Sequence, residues 1–210
     1  TSQAYNGFDF TVNARQGGLT FQGGTSTGQT TSDFCAVRAA LPELVQNIGA
    51  GLQTSAVGLQ SPYCRVSSGF LTQYRSLASY VIPKVDVQVS GVFQSKPGPA
   101  LLANLVVAPG QFGSTLGRNF TGVPNVTVNL IEPGTLYGNR INQLDLRLAK
   151  LLRFNGTRTM IGVDLYNALN AAAILTYNNT YVAPTATAPS SWQIPLTVLT
   201  ARMIRFSVEF

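Results

Sequence analysis

The chain has no histidine, only two cysteines and few charges. Without histidine, Ser-His-Asp and Cys-His nucleophilic sites are excluded, as are histidine zinc sites. Two cysteines cannot build a four-thiolate site. Charged residues make up 10% of the sequence, less than half the ~25% of an average soluble domain. Thr, Ser, Asn, Gln and Gly stand in their place, a composition that fits a water-facing surface poorly. Every apolar stretch is interrupted well short of the ~18 residues a membrane-crossing helix requires. The net charge of +6 comes from bases scattered singly between Arg15 and Arg205, whereas a nucleic-acid reader concentrates them on one element; no nucleic-acid partner is expected. Gly17-Gly18 and Gly23-Gly24 lack the Lys and the strand-loop-helix setting of a phosphate loop. The Asn-x-Thr sequons at Asn119, Asn125, Asn155 and Asn178 are most simply chance in a Thr- and Asn-rich chain. The expectation is a protein that is not an enzyme, with no metal and no cofactor. The opening Thr1-Ser2-Gln3-Ala4, with no Met, signal or lipidation motif, reads as the middle of a longer protein.

What is present is alternation. In the last residues Ile204, Phe206, Val208 and Phe210 fall on one face of a strand, and Met203, Arg205, Ser207 and Glu209 on the other. The same pattern recurs upstream. Phe8, Phe10, Val12 and Ala14 oppose Asp9, Thr11, Asn13 and Arg15, and Gln16-Gly17-Gly18 then turns the chain toward a strand over 19–31. A strand over 69–82 sets Tyr74, Ala78 and Tyr80 against Gln73, Arg75 and Ser79. Over 85–95, Val85, Val87, Val89 and Phe93 oppose Asp86, Gln88, Ser90 and Gln94, and Lys96-Pro97-Gly98-Pro99 ends the run. Over 140–154, Leu144, Leu146, Leu148 and Leu152 oppose Asp145, Arg147 and Ala149 in a long strand, with a helix as the rival reading of the same stretch. Lys150 sits on the apolar side near one end, where it can snorkel toward a headgroup region. Asn155-Gly156 signals a hairpin, and a strand over 159–170 then sets Ile161, Val163 and Leu165 against Met160, Asp164 and Tyr166. A last strand over 200–210 completes seven.

The connections alternate between short and long. The long ones cover 32–67, 100–137 and 171–199. Within them, 36–59 carries mixed apolar spacing suited to a short helix, and 101–107 and 126–131 are β-like. Cys35 and Cys64 lie in the first. They form either one disulfide, made in an oxidising compartment and worth roughly 3–4 kcal/mol by loop entropy, or two unpaired thiols. Tight turns at one end and long loops at the other are the asymmetry of an outer-membrane barrel, and lipid contact without long apolar runs leaves the closed barrel as the spanning solution. Aromatics near strand ends (Tyr5, Tyr80, Tyr137, Phe154, Trp192, Phe210) suit interfacial girdles. An odd strand count suits an arc of a larger barrel. The fold expected is therefore all-β: an antiparallel up-and-down transmembrane β-barrel segment of about seven to eight strands with long extracellular loops. Its lumen-facing polar residues are Asp86, Gln88, Asp145, Arg147, Asp164, Tyr166, Arg205 and Glu209. Asp145 and Asp164 on adjacent strands could act as an acid pair, but inward Arg147 and Arg205 favour a salt-bridge network.

Several stretches resemble a known family. Asp164-Leu165-Tyr166-Asn167-Ala168-Leu169-Asn170 is similar to the Asn-Leu-Phe-Asp/Asn stretch near the end of TonB-dependent outer-membrane receptors, and Arg202–Phe210 resembles their terminal assembly signal. The runs Cys35–Glu43, Pro62-Tyr63-Cys64, Gly134–Asp145 and Thr200-Ala201-Arg202 resemble the Oar-like receptors, which carry a carboxypeptidase-regulatory-like domain, a plug and a barrel of roughly 22 strands. The resemblance implies that residues 1–210 are the carboxy-terminal part of such a barrel, in the bacterial outer membrane, with no plug domain present. It implies an assembly signal at Ile204, Phe206, Val208 and Phe210, read by the barrel-assembly machinery. It also implies import of an unidentified solute, with TonB engaged through the missing amino-terminal plug region. The other reading kept open is a non-transporting β-rich surface or secreted binding domain, an adhesin for example, stapled by one disulfide.

Overall fold

In the computed structural model the described residues are 2–41, 63–108, 117, 125–154 and 157–210. Their regular secondary structure is almost entirely antiparallel β. The main sheet contains β1 (Ser2–Gln16), β2 (Leu19–Asp33), β4 (Leu71–Ile82), β5 (Val87–Lys96), β8 (Ile141–Phe154), β9 (Thr157–Tyr166) and β13 (Met203–Glu209). They lie side by side in the order in which they occur in the chain, and β3 (Arg65–Ser67) adds to β2. This is the seven-strand up-and-down meander that the alternation predicts. β1 and β13 are its two edges, and they are not paired to each other.

The boundaries differ locally for physical reasons. The fourth main strand begins at Val87 rather than Val85, because Lys84 and Asp86 take positive φ (70° and 51°) in the turn after Ile82. The sixth stops at Tyr166, because Asn167 and Asn170 take positive φ (48° and 50°), which Asn tolerates better than most residues. Gly17 and Gly18 hold φ of 56° and 87° and turn β1 into β2. The Asn155-Gly156 hairpin residues lie outside the described residues.

All three long connections leave from the same end of the sheet, and they are knitted together there. After β2, Asp33 accepts the Cys35 backbone N–H at 2.9 Å, starting helix α1 (Cys35–Ala40); the rest of the expected 36–59 helix is largely outside the described residues. Cys35 and Cys64 form a disulfide, with Cα atoms 4.8 Å apart. In the second connection β6 (Asn104–Val107) pairs antiparallel with β7 (Val126–Asn129). From the third, β11 (Thr180–Tyr181) joins β6 in parallel, while β10 (Ile174–Tyr177) pairs with β12 (Pro195–Val198). Side chains bind these pieces. The Trp192 indole N–H donates to the Leu102 carbonyl at 2.8 Å, and its ring meets Tyr181 edge-on at 5.9 Å. The Tyr137 hydroxyl donates to the Ser68 carbonyl at 3.0 Å. Val66, Leu101, Ala103, Val107 and Pro133 are buried in this cluster. Tyr137 and Trp192, expected in a girdle, therefore hold loops together.

Candidate functional site

Directly paired residues of neighbouring antiparallel strands share a face, so the register assigns every side chain of the meander. One cross-strand row reads Ala14–Phe21–Ala78–Gly91–Leu146–Leu165–Ile204, and the next reads Leu19–Tyr80–Val89–Leu148–Val163–Phe206. Phe8, Phe10 and Val12 extend this apolar face on β1 and Val208 extends it on β13. None of the described residues covers it: Phe206 is 77% exposed, Ile204 59%, Val208 54%, Leu148 53% and Leu146 41%. Phe206, Val208, Val87 and Leu146 are thus not sealed between two layers.

The opposite face carries the charge. Of the charged residues in the seven strands, only Asp33 and Lys150 have the parity of the apolar face. Both sit toward an end. Asp33 is the residue that starts α1, and the Lys150 ammonium donates to the Val85 carbonyl in the turn beyond β4.

On the polar face the row Arg15–Thr20–Ser79–Ser90–Arg147–Asp164–Arg205 crosses all seven strands. Its last three members form a ladder. Asp164 is 4% exposed and meets Arg147 at 3.6 Å and Arg205 at 2.9 Å. Arg147 continues to Glu209 at 3.0 Å, and the Arg205 guanidinium lies 5.3 Å from the Tyr166 ring centroid. The Arg147 side chain lies close to Gly162, where an added Cβ would come within 3.3 Å of its guanidinium.

Asp145 belongs to a second network. Gln94 donates to Gln143 at 2.9 Å, Gln143 donates to both Asp145 oxygens, and the Asn167 backbone N–H reaches Asp145 at 2.8 Å. Gln88 donates to Ser79 at 2.8 Å. Asp86 lies in the turn before β5 and pairs with Arg153 at 3.2 Å. The expected polar set thus shares one face or its rim. Asp145 and Asp164 enter separate networks rather than an acid pair.

Sequence reasoning missed three features. Asn167 is 2% exposed and clasps the end of the sheet: its side chain donates to the Ala171 and Thr200 carbonyls and accepts from Ala171 N–H. In the sequence Asn167 stands out only within the stretch Asp164–Asn170 that resembles the receptors. Leu77 and Val92 face each other on the polar side, an apolar pair hidden within otherwise alternating strands. Tyr5, expected in a girdle, has the polar-face parity, and its ring fills the space a Cβ would need at Gly7 and Gly28.

Among the described residues no group of three or more Cys, Asp or Glu side chains is placed to hold a metal ion. No described helix is long and apolar enough to cross a membrane, which says nothing of crossing by strands. Comparison with family models, curated proteins and solved structures finds no match.

Proposed function

We propose that the chain is a wall segment of a transmembrane β-barrel in a bacterial outer membrane, part of a TonB-dependent, Oar-like receptor that imports a solute. The observation that carries this reading is the uncovered apolar face running across seven paired strands, with the strand charges on the other side. Left in water, each large side chain of that face forgoes roughly 1.5–3 kcal/mol of burial free energy. A bilayer recovers it without a second protein layer. The strands run 7 to 15 residues, around the ~9–11 that a tilted strand needs to cross the hydrocarbon.

In this reading Asp145, Arg147, Asp164, Tyr166, Arg205 and Glu209 line the lumen, with Gln88 beside them and Asp86 at the turn rim. The knitted long connections lie outside the cell, where an oxidising medium keeps Cys35–Cys64 paired. Ile204, Phe206, Val208 and Phe210 present the assembly signal on the exposed edge strand. TonB would act through a plug region that these residues do not include.

Detergent dependence tests the proposal. The chain should require detergent or lipid to stay monodisperse, and the intact parent should show heat-modifiable gel mobility. A monodisperse preparation in plain buffer contradicts the membrane reading and favours a secreted, disulfide-stapled binding domain.

A further inference from the structure

The polar face is divided in its chemistry. Over β5, β8, β9 and β13 its charged and carboxamide groups pair with one another through the Arg147–Asp164–Arg205 ladder and the Gln94–Gln143–Asp145 chain, and among the described residues Ser207 Oγ is the buried group left without a partner. Over β1, β2 and β4 the Ser79 hydroxyl accepts from Gln88, but five larger polar groups have no such partner. Asp9, Asn13, Gln22, Gln73 and Arg75 make no side-chain hydrogen bond or ion pair among the described residues. These five groups border one depression of about 510 Å³, with the Leu77–Val92 pair at its side. Phe10, Gly23, Thr25 and Ser76, of the opposite parity, also border it.

The register fixes the spacing. Asp9 lies in the row Asp9–Ser26–Gln73, and Arg75 in the adjacent row Thr11–Gly24–Arg75. By strand separation and rise their backbones are roughly 12 Å apart, and they do not pair with each other. Gly24 adds no side chain between Thr11 and Arg75, and a Cβ there would come within 2.5 Å of the Phe10 carbonyl and 3.2 Å of the Thr11 methyl.

We propose that this depression is a binding site for an uncharged polyhydroxylated solute of about one or two sugar rings. Its volume is within the range of small-molecule sites, roughly 300–1,000 Å³. Carboxamides, a carboxylate and a guanidinium supply planar donor and acceptor pairs that match vicinal hydroxyls. One charge of each sign gives no net attraction for an ion. Leu77 and Val92, 39% and 44% exposed, offer an apolar patch to the C–H face of a ring. The inference goes beyond the barrel proposal and holds whatever medium covers the opposite face.

The test is a titration of the isotopically labelled full chain in detergent with maltose, read by side-chain amide resonances. Saturable shifts are expected at Asn13, Gln22 and Gln73 with a dissociation constant on the order of 1 mM, while Gln88, Gln94 and Gln143 stay fixed. Arg75→Ala combined with Gln73→Ala should weaken maltose binding by about tenfold or more. Absence of saturable shifts in the unmodified chain overturns the proposal, as does a response to glycylglycine or inorganic phosphate but not to maltose. Equal movement of Gln143 also overturns it. These outcomes are independent of detergent dependence: maltose shifts in a chain soluble in plain buffer would refute the membrane wall and leave this site standing.

Discussion

Asp164 takes both arginine partners from directly opposite positions on neighbouring strands. Its carboxylate is nearly buried, 6% exposed, while the side chains of Arg147 and Arg205 keep 29% and 55% of their surface in solvent. Breaking this ladder should cost more than an exposed pair, ~1 kcal/mol or less, and less than a fully buried one, ~3–5 kcal/mol. Asp164→Ala is expected to lower stability by about 1–2 kcal/mol, read as a lower urea midpoint in detergent. An unchanged midpoint would show that the ladder contributes nothing. Parity alone places Asp145, Arg147, Asp164 and Arg205 on one face. Which of them touch is a matter of register, and register depends on turn geometry that no single residue encodes. The same limit explains Tyr5. Its aromatic type suggested a girdle, but its odd position on β1 sends it to the polar face, against two glycines.

At the scale of the element, strands with sustained alternation were legible and the small sheets of the long connections were only partly so. β6 and β7 fall within stretches that read as β-like. β10, β11 and β12 run only 2 to 4 residues, too short for a period of two to register, and β12 opens on a proline. Their partners are also remote in the chain, as when β11 pairs with β6. Tyr137 ties the second connection to the first through Ser68. Burial pushes its phenol above its ordinary 10.0, so the protonated, donating form persists further into alkali. A raised acid pKa contributes stability that is complete below the unfolded value and is lost as pH rises through the folded one. Tyr137→Phe should therefore cost about 1 kcal/mol at neutral pH and remove this residue's share of any destabilisation above about pH 10. Urea midpoints at neutral and alkaline pH check both halves. A variant that matches the parent at neutral pH contradicts the first.

For the whole molecule, the decisive property is the separation of charge from hydrocarbon across one sheet. Alternation made it visible strand by strand. Its continuity from β1 to β13 required the register, because a one-residue slip in any pair would have moved polar side chains into the apolar row. With seven antiparallel strands, β1 and β13 both run from the long-loop end to the turn end, so they could meet only as a parallel pair. An up-and-down closure therefore needs an odd number of further strands between these edges. The most direct measurement places a spin label, one position at a time, at Leu144 through Leu148 of β8 in lipid vesicles and compares collision with oxygen and with a water-soluble nickel complex. The account predicts strict alternation: oxygen, concentrated in hydrocarbon, dominates at 144, 146 and 148, and nickel at 145 and 147. Equal nickel accessibility at all five positions, or protection of all five from both reagents, would contradict it.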